Sequence, residues 1–428
     1  MRIDWNALIA AMSGEKRGGD IRRGAVGDAV AAPATGSEAS AAAEQDSSKL
    51  ISSLTEKADN GTIAAKTNLL ALAIIEEASA LAGTFNIADF VPWLSYWDPQ
   101  RIYARTKRLV PQQHGFMRAC IAERRQLMLK MRTGVEKQEE LKTRTGRPVA
   151  EKPEDSLKGH ETALVDALFE MEGEGEDQVD KDEMLMLAID MMMAGTDTTS
   201  KTVEWALAEL AQHPDMLEKL RAEVDVEYAR SASAAAETGA ASGGVSDLMV
   251  SLPVAEMPYL QAVLKETLRH HPVAPFLGPH ITTGSVTIGG YHIPPNTMIQ
   301  INGWALAHDP TVWINPHRFD PSRFLDSAAP GMTGKNFSLL PFGSGRRGCL
   351  GMNMGLDLSA RLLANFVLWF DFELPEDVRA AGGVDMTENF GLTMALAKPL
   401  RLVVRERKAV PGFAGMAAVG ATAVTAVA

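Results

Sequence analysis

The chain has 428 residues, 46% of them apolar and 6% aromatic, enough to bury a large core in one large domain or two ordinary ones. A formal net charge of -12 leaves no excess of Lys and Arg to neutralise phosphates, which argues against a nucleic-acid partner. The two cysteines, Cys120 and Cys349, exclude a disulfide framework and a zinc site of four cysteines, and make a reducing compartment the default.

In chain order, residues 1–48 read as low-complexity and disordered. The stretch 1–30 is broken by charge every few positions, so it holds neither a signal-peptide core nor a spanning helix. Residues 18–48 are rich in Ala, Gly and Ser without an apolar period. Helical spacing then predicts helices over 69–82, 103–131, 182–212 and 258–270. Between them, 142–155 is a weak charged region with Pro148 and Pro153, and 231–244 (SASAAAETGAASGG) reads as a surface insertion. Short strands are expected over 285–293, where Gly289-Gly290 interrupts alternating apolar residues, over 298–301, and as a pair around Leu392 and 400–404. Residues 355–372 again have helical spacing. Residues 406–428 form a small-residue tail, uncharged from Ala409 on and long enough to span a membrane. Its Ala, Gly, Val and Thr content with Pro411 leaves a tail anchor and a frayed end both open. The fold expected is mainly α with small peripheral β-sheets, in one main domain over 49–405.

The run FGSGRRGCLG from Phe342 to Gly351 fills every fixed position of F-x-x-G-x-R-x-C-x-G. A reactive thiolate is kept deprotonated by positive charge and hydrogen bonds, and the glycines Gly343, Gly345, Gly348 and Gly351 let backbone N–H groups turn towards the sulfur. Arg347 suits a carboxylate, which a guanidinium pairs with bidentately. The helix expected next would place its N-terminus near Cys349 and also favour thiolate. Cys120, in RACIAER, reads as a small buried hydrophobe.

This loop resembles the cysteine signature of the cytochrome P-450 family. The resemblance implies haem b (iron protoporphyrin IX) as cofactor, with Cys349 as axial ligand to the iron; such a ligand pushes electron density onto iron and favours O–O cleavage. Phe342, Gly345 and Gly351 belong to the cofactor-binding loop, and Arg347 is implied to hold a haem propionate.

Other stretches resemble the family's further marks. Residues 194–199 (AGTDTT) match the oxygen-activating part of its long central helix. Read alone, the stretch is also compatible with a helix kink or an N-cap, because its residues make poor helix. In the family context Ala194 lines the substrate pocket, Gly195 leaves room above the iron, and the Thr198 hydroxyl helps deliver protons for O–O scission, with Asp197 relaying them from solvent. Glu266 and Arg269 stand at i,i+3 on one helix face. FDPSRF at 319–324 supplies Arg323 as the third member of a structural Glu-Arg-Arg cluster, with Ser322 in place of the usual acidic residue. Residues 270–280 (HHPVAPFLGPH) give Val273, Ala274 and Phe276 as pocket residues. His280 there is either a second propionate ligand or a solvated loop histidine. NFGLT at 389–393 adds Leu392 and Thr393 to the pocket.

The resemblance covers about 69–404 and is greatest to plant-type microsomal members that hydroxylate phenylpropanoids, flavonoids or fatty acids, which places the chain in secondary metabolism. It implies an active monooxygenase that inserts one atom of O2 into a small apolar organic substrate. Electrons would come from NADPH through a flavoprotein reductase docked on the basic group Arg318, Lys335, Arg346 and Arg347. Such proteins sit on the cytosolic face of the endoplasmic reticulum membrane. Before residue 69 the expected anchor, Pro-rich hinge, first sheet strands and W-x-x-x-R helix are not found, so the fold is expected to be N-terminally incomplete and, without an anchor, cytosolic. The alternative function is a non-catalytic remnant with weak haem binding.

Overall fold

The computed structural model describes residues 60–145, 164–173, 178–237, 252–326 and 329–407. The expectations for 1–48, for the tail beyond Arg407 and for residues 238–244 of the insertion lie outside the described residues. The described chain divides into two compact units, one of residues 60–81 and 85–194, the other of 82–84 and 195–407.

The first unit is helical. Helix α1 runs Asn60–Gly83 and α2 runs Ile102–Thr145, well past the predicted end at residue 131. The extension follows from VEKQEELK at 135–142, rich in helix formers, while residues 146–155 of the weak charged region 142–155 lie outside the described residues. Ile74 and Leu81 of α1 pack with Leu109 and Phe116 of α2. Arg124 of α2 holds buried Asp166 of α3 (Leu164–Glu170) through two bonds of 2.9 and 2.6 Å. The stretch Leu70–Asp89 is long and apolar enough to cross a membrane, by length and composition alone.

Helix α4, Lys181–Gln212, begins in this unit and continues into the second. There it packs with α5 (Pro214–Glu237), α6 (Pro258–His270) and α8 (Met352–Trp369) around one core, which includes Trp205, Leu207, Leu220, Leu260, Leu264, Leu363 and Val367. Helix α5 carries the chain from Ser231 to Glu237 as helix, so the segment read as an insertion starts as the end of a helix. Helix α6 follows its sequence signals closely: Pro258 opens it, where a missing N–H costs nothing, and Arg269 and His270 close it against the helix dipole. Leu260, Val263, Leu264 and Leu268 form its buried face. A short helix α7, Gly303–Ala307, is capped by the Asn302 side chain.

All strands described are two-stranded antiparallel pairs at the periphery. Strands β2 (Val286–Ile288) and β3 (Tyr291–Ile293) form the expected hairpin, its two-residue turn made by Gly289 and Gly290 at φ 58° and 84°. Strand β1 (His280–Ile281) pairs with β4 (Met298–Ile299). Two details correct the sequence reading. The helix expected over 355–372 ends at Trp369, and β5 (Phe370–Glu373) pairs with β8 (Val403–Glu406) instead of leaving 400–404 to a partner near Leu392. The segment around Leu392 is the turn of its own hairpin, β6 (Glu388–Phe390) with β7 (Met394–Leu396). Phe370 and Phe372 keep an apolar period compatible with either state, so only the tertiary pairing decides.

Candidate active site

The scaffold of the site is a buried charge cluster. Arg269 donates to both Glu266 oxygens, at 2.7 and 2.8 Å, and both side chains are fully buried. Its remaining N–H groups donate to the carbonyls of Ala307, Pro316 and Arg318 at 2.8, 2.9 and 3.3 Å, and the guanidinium lies 5.2 Å from the centre of the Trp313 ring. Glu266 also accepts from the Asp320 backbone N–H at 2.8 Å and from Arg323 Nε at 3.3 Å. Burial pushes the Glu266 carboxyl upward, opposed by Arg269, the Asp320 N–H and Arg323. One helix thus fixes the loop that runs from Ala307 to Arg323.

The cysteine loop is built by local turns. Gly343 and Gly345 sit at φ 70° and 71°, a left-handed region that side chains rarely adopt. Their turns bring the Cys349 N–H onto the Phe342 carbonyl at 2.8 Å and the Gly348 N–H onto that of Gly345 at 3.1 Å. The Ser344 hydroxyl ties the loop to the Gly334 carbonyl at 2.7 Å, and Phe342 packs on the small core of Leu268, Trp313, Phe324 and Leu339. Cys349 is solvent-exposed just before α8, whose N-terminal dipole favours an anion there. Arg347 and its neighbour Arg346 are exposed, as are Arg318 and Lys335.

The AGTDTT stretch is continuous helix within α4. Just past it, the hydroxyls of Ser200 and Thr202 donate back to the carbonyls of Asp197 and Thr198, at 3.1 and 2.8 Å. Ala194 is exposed, and a Cβ on Gly195 would meet nothing within 4 Å. Asp197 is held by Lys201 Nζ at 2.8 Å and accepts from the Thr393 hydroxyl at 2.6 Å, while Lys201 also reaches Thr393. Lys201 escaped the sequence reading. Its i,i+4 spacing from Asp197 was visible, but Thr393 lies 196 residues from Asp197 and no local pattern joins them.

The remaining residues scatter over the second unit. Ala274 lines a cleft with Pro272, Gly303, Leu339 and Pro341. Val273 is buried, and its carbonyl accepts from the Met394 N–H at 2.8 Å. Phe276 and Leu392 are exposed, with the Phe276 ring edge-on to Phe390 at 5.7 Å. Thr393 is buried with its hydroxyl committed to Asp197. His280 is exposed on β1.

A turn-rich loop that presents a thiol at a helix start, packed on a small core whose Trp313 lies against Arg269 of the buried cluster, suits a thiolate-bound group. The chain belongs to the cytochrome P450 family, whose model matches residues 50–394. It is 36% identical over 335 residues to a flavonoid 3'-monooxygenase of Arabidopsis thaliana, covering 76% of this chain and 56% of that protein. To a flavonoid 3',5'-hydroxylase of Crocosmia x crocosmiiflora it is 35% identical over 330 residues, 76% of this chain and 55% of that one. To cytochrome P450 71A1 of Persea americana it is 39% identical over 244 residues, 56% of this chain and 45% of that one. The chain spans about half the length of these relatives.

The family implies haem, and the loop's surroundings fit one. Leu350, Met354 and Leu358, at i,i+4 and i+8 from the residue after the cysteine, are 96%, 64% and 39% exposed, an apolar row left to be covered. Between them the helix start carries no bulk: a Cβ on Gly355 would meet nothing within 4 Å, and one on Gly351 would meet only Cys349 Sγ, at 3.9 Å. A flat apolar group lying against the thiol suits that surface.

Proposed function

We propose that the chain is a haem-thiolate monooxygenase that inserts one atom of O2 into a small apolar organic substrate of flavonoid type. The observation that carries this reading is the exposed Cys349 thiol on a rigid loop at the start of α8, beside uncovered apolar residues. When bound, haem supplies the redox centre at which O2 is activated and reduced. Cys349 would ligate the iron, and Arg347, with His280, would hold the propionates by charge-assisted bonds. Val273, Ala274, Phe276 and Leu392 would surround the substrate. The substrate class rests on the names of the relatives. Electrons would come from NADPH through a flavoprotein reductase whose acidic face meets Arg318, Lys335, Arg346 and Arg347. The cytosolic face of the endoplasmic reticulum is the corresponding location.

Thr198 would donate the proton that commits O–O scission, resupplied by Asp197. Lys201 and the Thr393 hydroxyl fix the position of Asp197, so Thr393 serves the relay in this reading more than the pocket. Haem-loaded protein, supplied with the reductase, NADPH and a flavonoid, tests this. Parent protein is expected to give hydroxylated product, and Thr198→Ala to keep consuming NADPH while releasing peroxide, with product falling by roughly 10²–10⁴-fold, the range that general acid catalysis contributes. Equal product per NADPH in Thr198→Ala and parent removes Thr198 from the mechanism. No oxidation of any flavonoid by the parent refutes the substrate class.

A further inference from the structure

Away from the cysteine loop, α4 and the end of α6 bring one carboxylate and two imidazoles together in the interior of the second unit. Glu209 and His271 are 4% exposed, and the ligand-capable atoms of Glu209, His270 and His271 all lie within 4.8 Å of one another. His271 Nε2 is 2.7 Å from Glu209 Oε1, and its ring is stacked on Trp205 at 3.9 Å. His271 Nδ1 faces Glu388 Oε1 at 3.6 Å.

His270 supplies the independent observation. Its Nε2 lies 3.1 Å from the His317 carbonyl, an acceptor only, so Nε2 carries the hydrogen of the neutral ring. Its Nδ1 is then a bare lone pair. That atom is buried, has no hydrogen-bond partner among the described residues, and points at Glu209 Oε1 across 4.0 Å. Two electron-rich atoms facing each other out of water are unfavourable unless a cation lies between them.

We infer that Glu209, His270 and His271 form a binding site for a divalent transition metal of the zinc class. Two imidazoles and one carboxylate are a zinc donor set. Tetrahedral bonds of about 2.0–2.2 Å put donors roughly 3.3 Å apart, and the 2.7 and 4.0 Å separations bracket that value. One outer partner is in place, since His270 donates to the His317 carbonyl as metal-bound imidazoles do to fix tautomer and orientation, while His271 Nδ1 lies 3.6 Å from Glu388 Oε1 without a hydrogen bond. Metal would take the Nε2 lone pair of the neutral His271 ring, whose single hydrogen then sits on Nδ1 towards Glu388, and Glu209 and Glu388 together balance the two charges of the metal. The other groups facing the cluster are His213, 3.4 Å from Glu209 Oε2, and the His308 ring, 5.5 Å from that of His270. His213 and Glu388 are 37% and 32% exposed at the side chain and leave a route from solvent.

The test is titration of the chelator-treated full-length chain, free of haem, with Co2+. One equivalent is expected to bind with the intense visible bands of tetrahedral cobalt and no thiolate charge-transfer band, equally in the parent and in Cys349→Ala. Affinity should fall at least tenfold in Glu209→Gln and in His270→Phe, with far-ultraviolet circular dichroism showing the variants folded. Should either variant fail to fold, zinc is added to the parent during thermal unfolding: a zinc-dependent rise in Tm that persists in Cys349→Ala supports the site, and no rise overturns it. Binding that disappears with Cys349, or that is unchanged in folded His270→Phe, also overturns it. Haem content plays no part in these readouts, so they stand apart from the monooxygenase reading.

Discussion

Glu266→Ala is expected to destabilise the chain by about 3–5 kcal/mol, the cost of leaving one member of a buried ion pair without its partner. The variant strands the Arg269 guanidinium, which is fully buried and loses both carboxylate bonds. It also strands the Asp320 N–H and part of Arg323, so the loop pinned at Ala307, Pro316 and Arg318 loses its anchor. Arg269→Ala should cost a similar amount and leave the Ala307 and Pro316 carbonyls without that donor, while the Arg318 carbonyl keeps Arg323. Arg323→Ala should cost less, because its bond to Glu266 is long and the side chain is 13% exposed. The loss predicted for Glu266→Ala is a large part of a typical domain's stability of about 5–15 kcal/mol. Denaturant midpoints of the three variants check the order; a Glu266→Ala midpoint equal to that of the parent would mean that the cluster is not a buried pair in solution.

Cys349→Ala should separate folding from cofactor binding. The side chain is exposed, and surface substitutions fall within about 0.5 kcal/mol, so the unfolding midpoint of the haem-free chain should not move. Haem affinity should fall by more than the roughly 10–100-fold that the loss of an outer-shell partner alone costs a metal site, because the proposed ligand itself is removed. Haem per chain after gel filtration, measured beside the midpoint, gives both numbers. Parent-level haem retention in the variant would place the iron on another residue.

How much of this was legible in the sequence differs from element to element. Helix α6 was legible to the residue, because Pro258, the apolar face and Arg269 act locally and agree. The Arg323 contact with Glu266 was legible only because FDPSRF is a family pattern; nothing local links two residues 57 positions apart. The extension of α2 to Thr145 was missed because apolar periodicity, the signal used, fades where a helix is held by propensity instead. Strand β5 was missed because its register with β8 is tertiary. The same holds for the Thr393 hydroxyl on Asp197 and for the meeting of Glu209 with His271, 62 residues apart in sequence. Side chains that cross between elements carry no periodic trace.

The most direct test of the central claim, that Cys349 is the thiolate ligand of a bound haem, is the absorption spectrum of the haem-loaded full-length chain after reduction and addition of carbon monoxide. The strongly red-shifted Soret band of thiolate-ligated haem is expected in the parent and should vanish in Cys349→Ala. A parent band at the position given by histidine-ligated haem, or a red-shifted band that survives in Cys349→Ala, would contradict it.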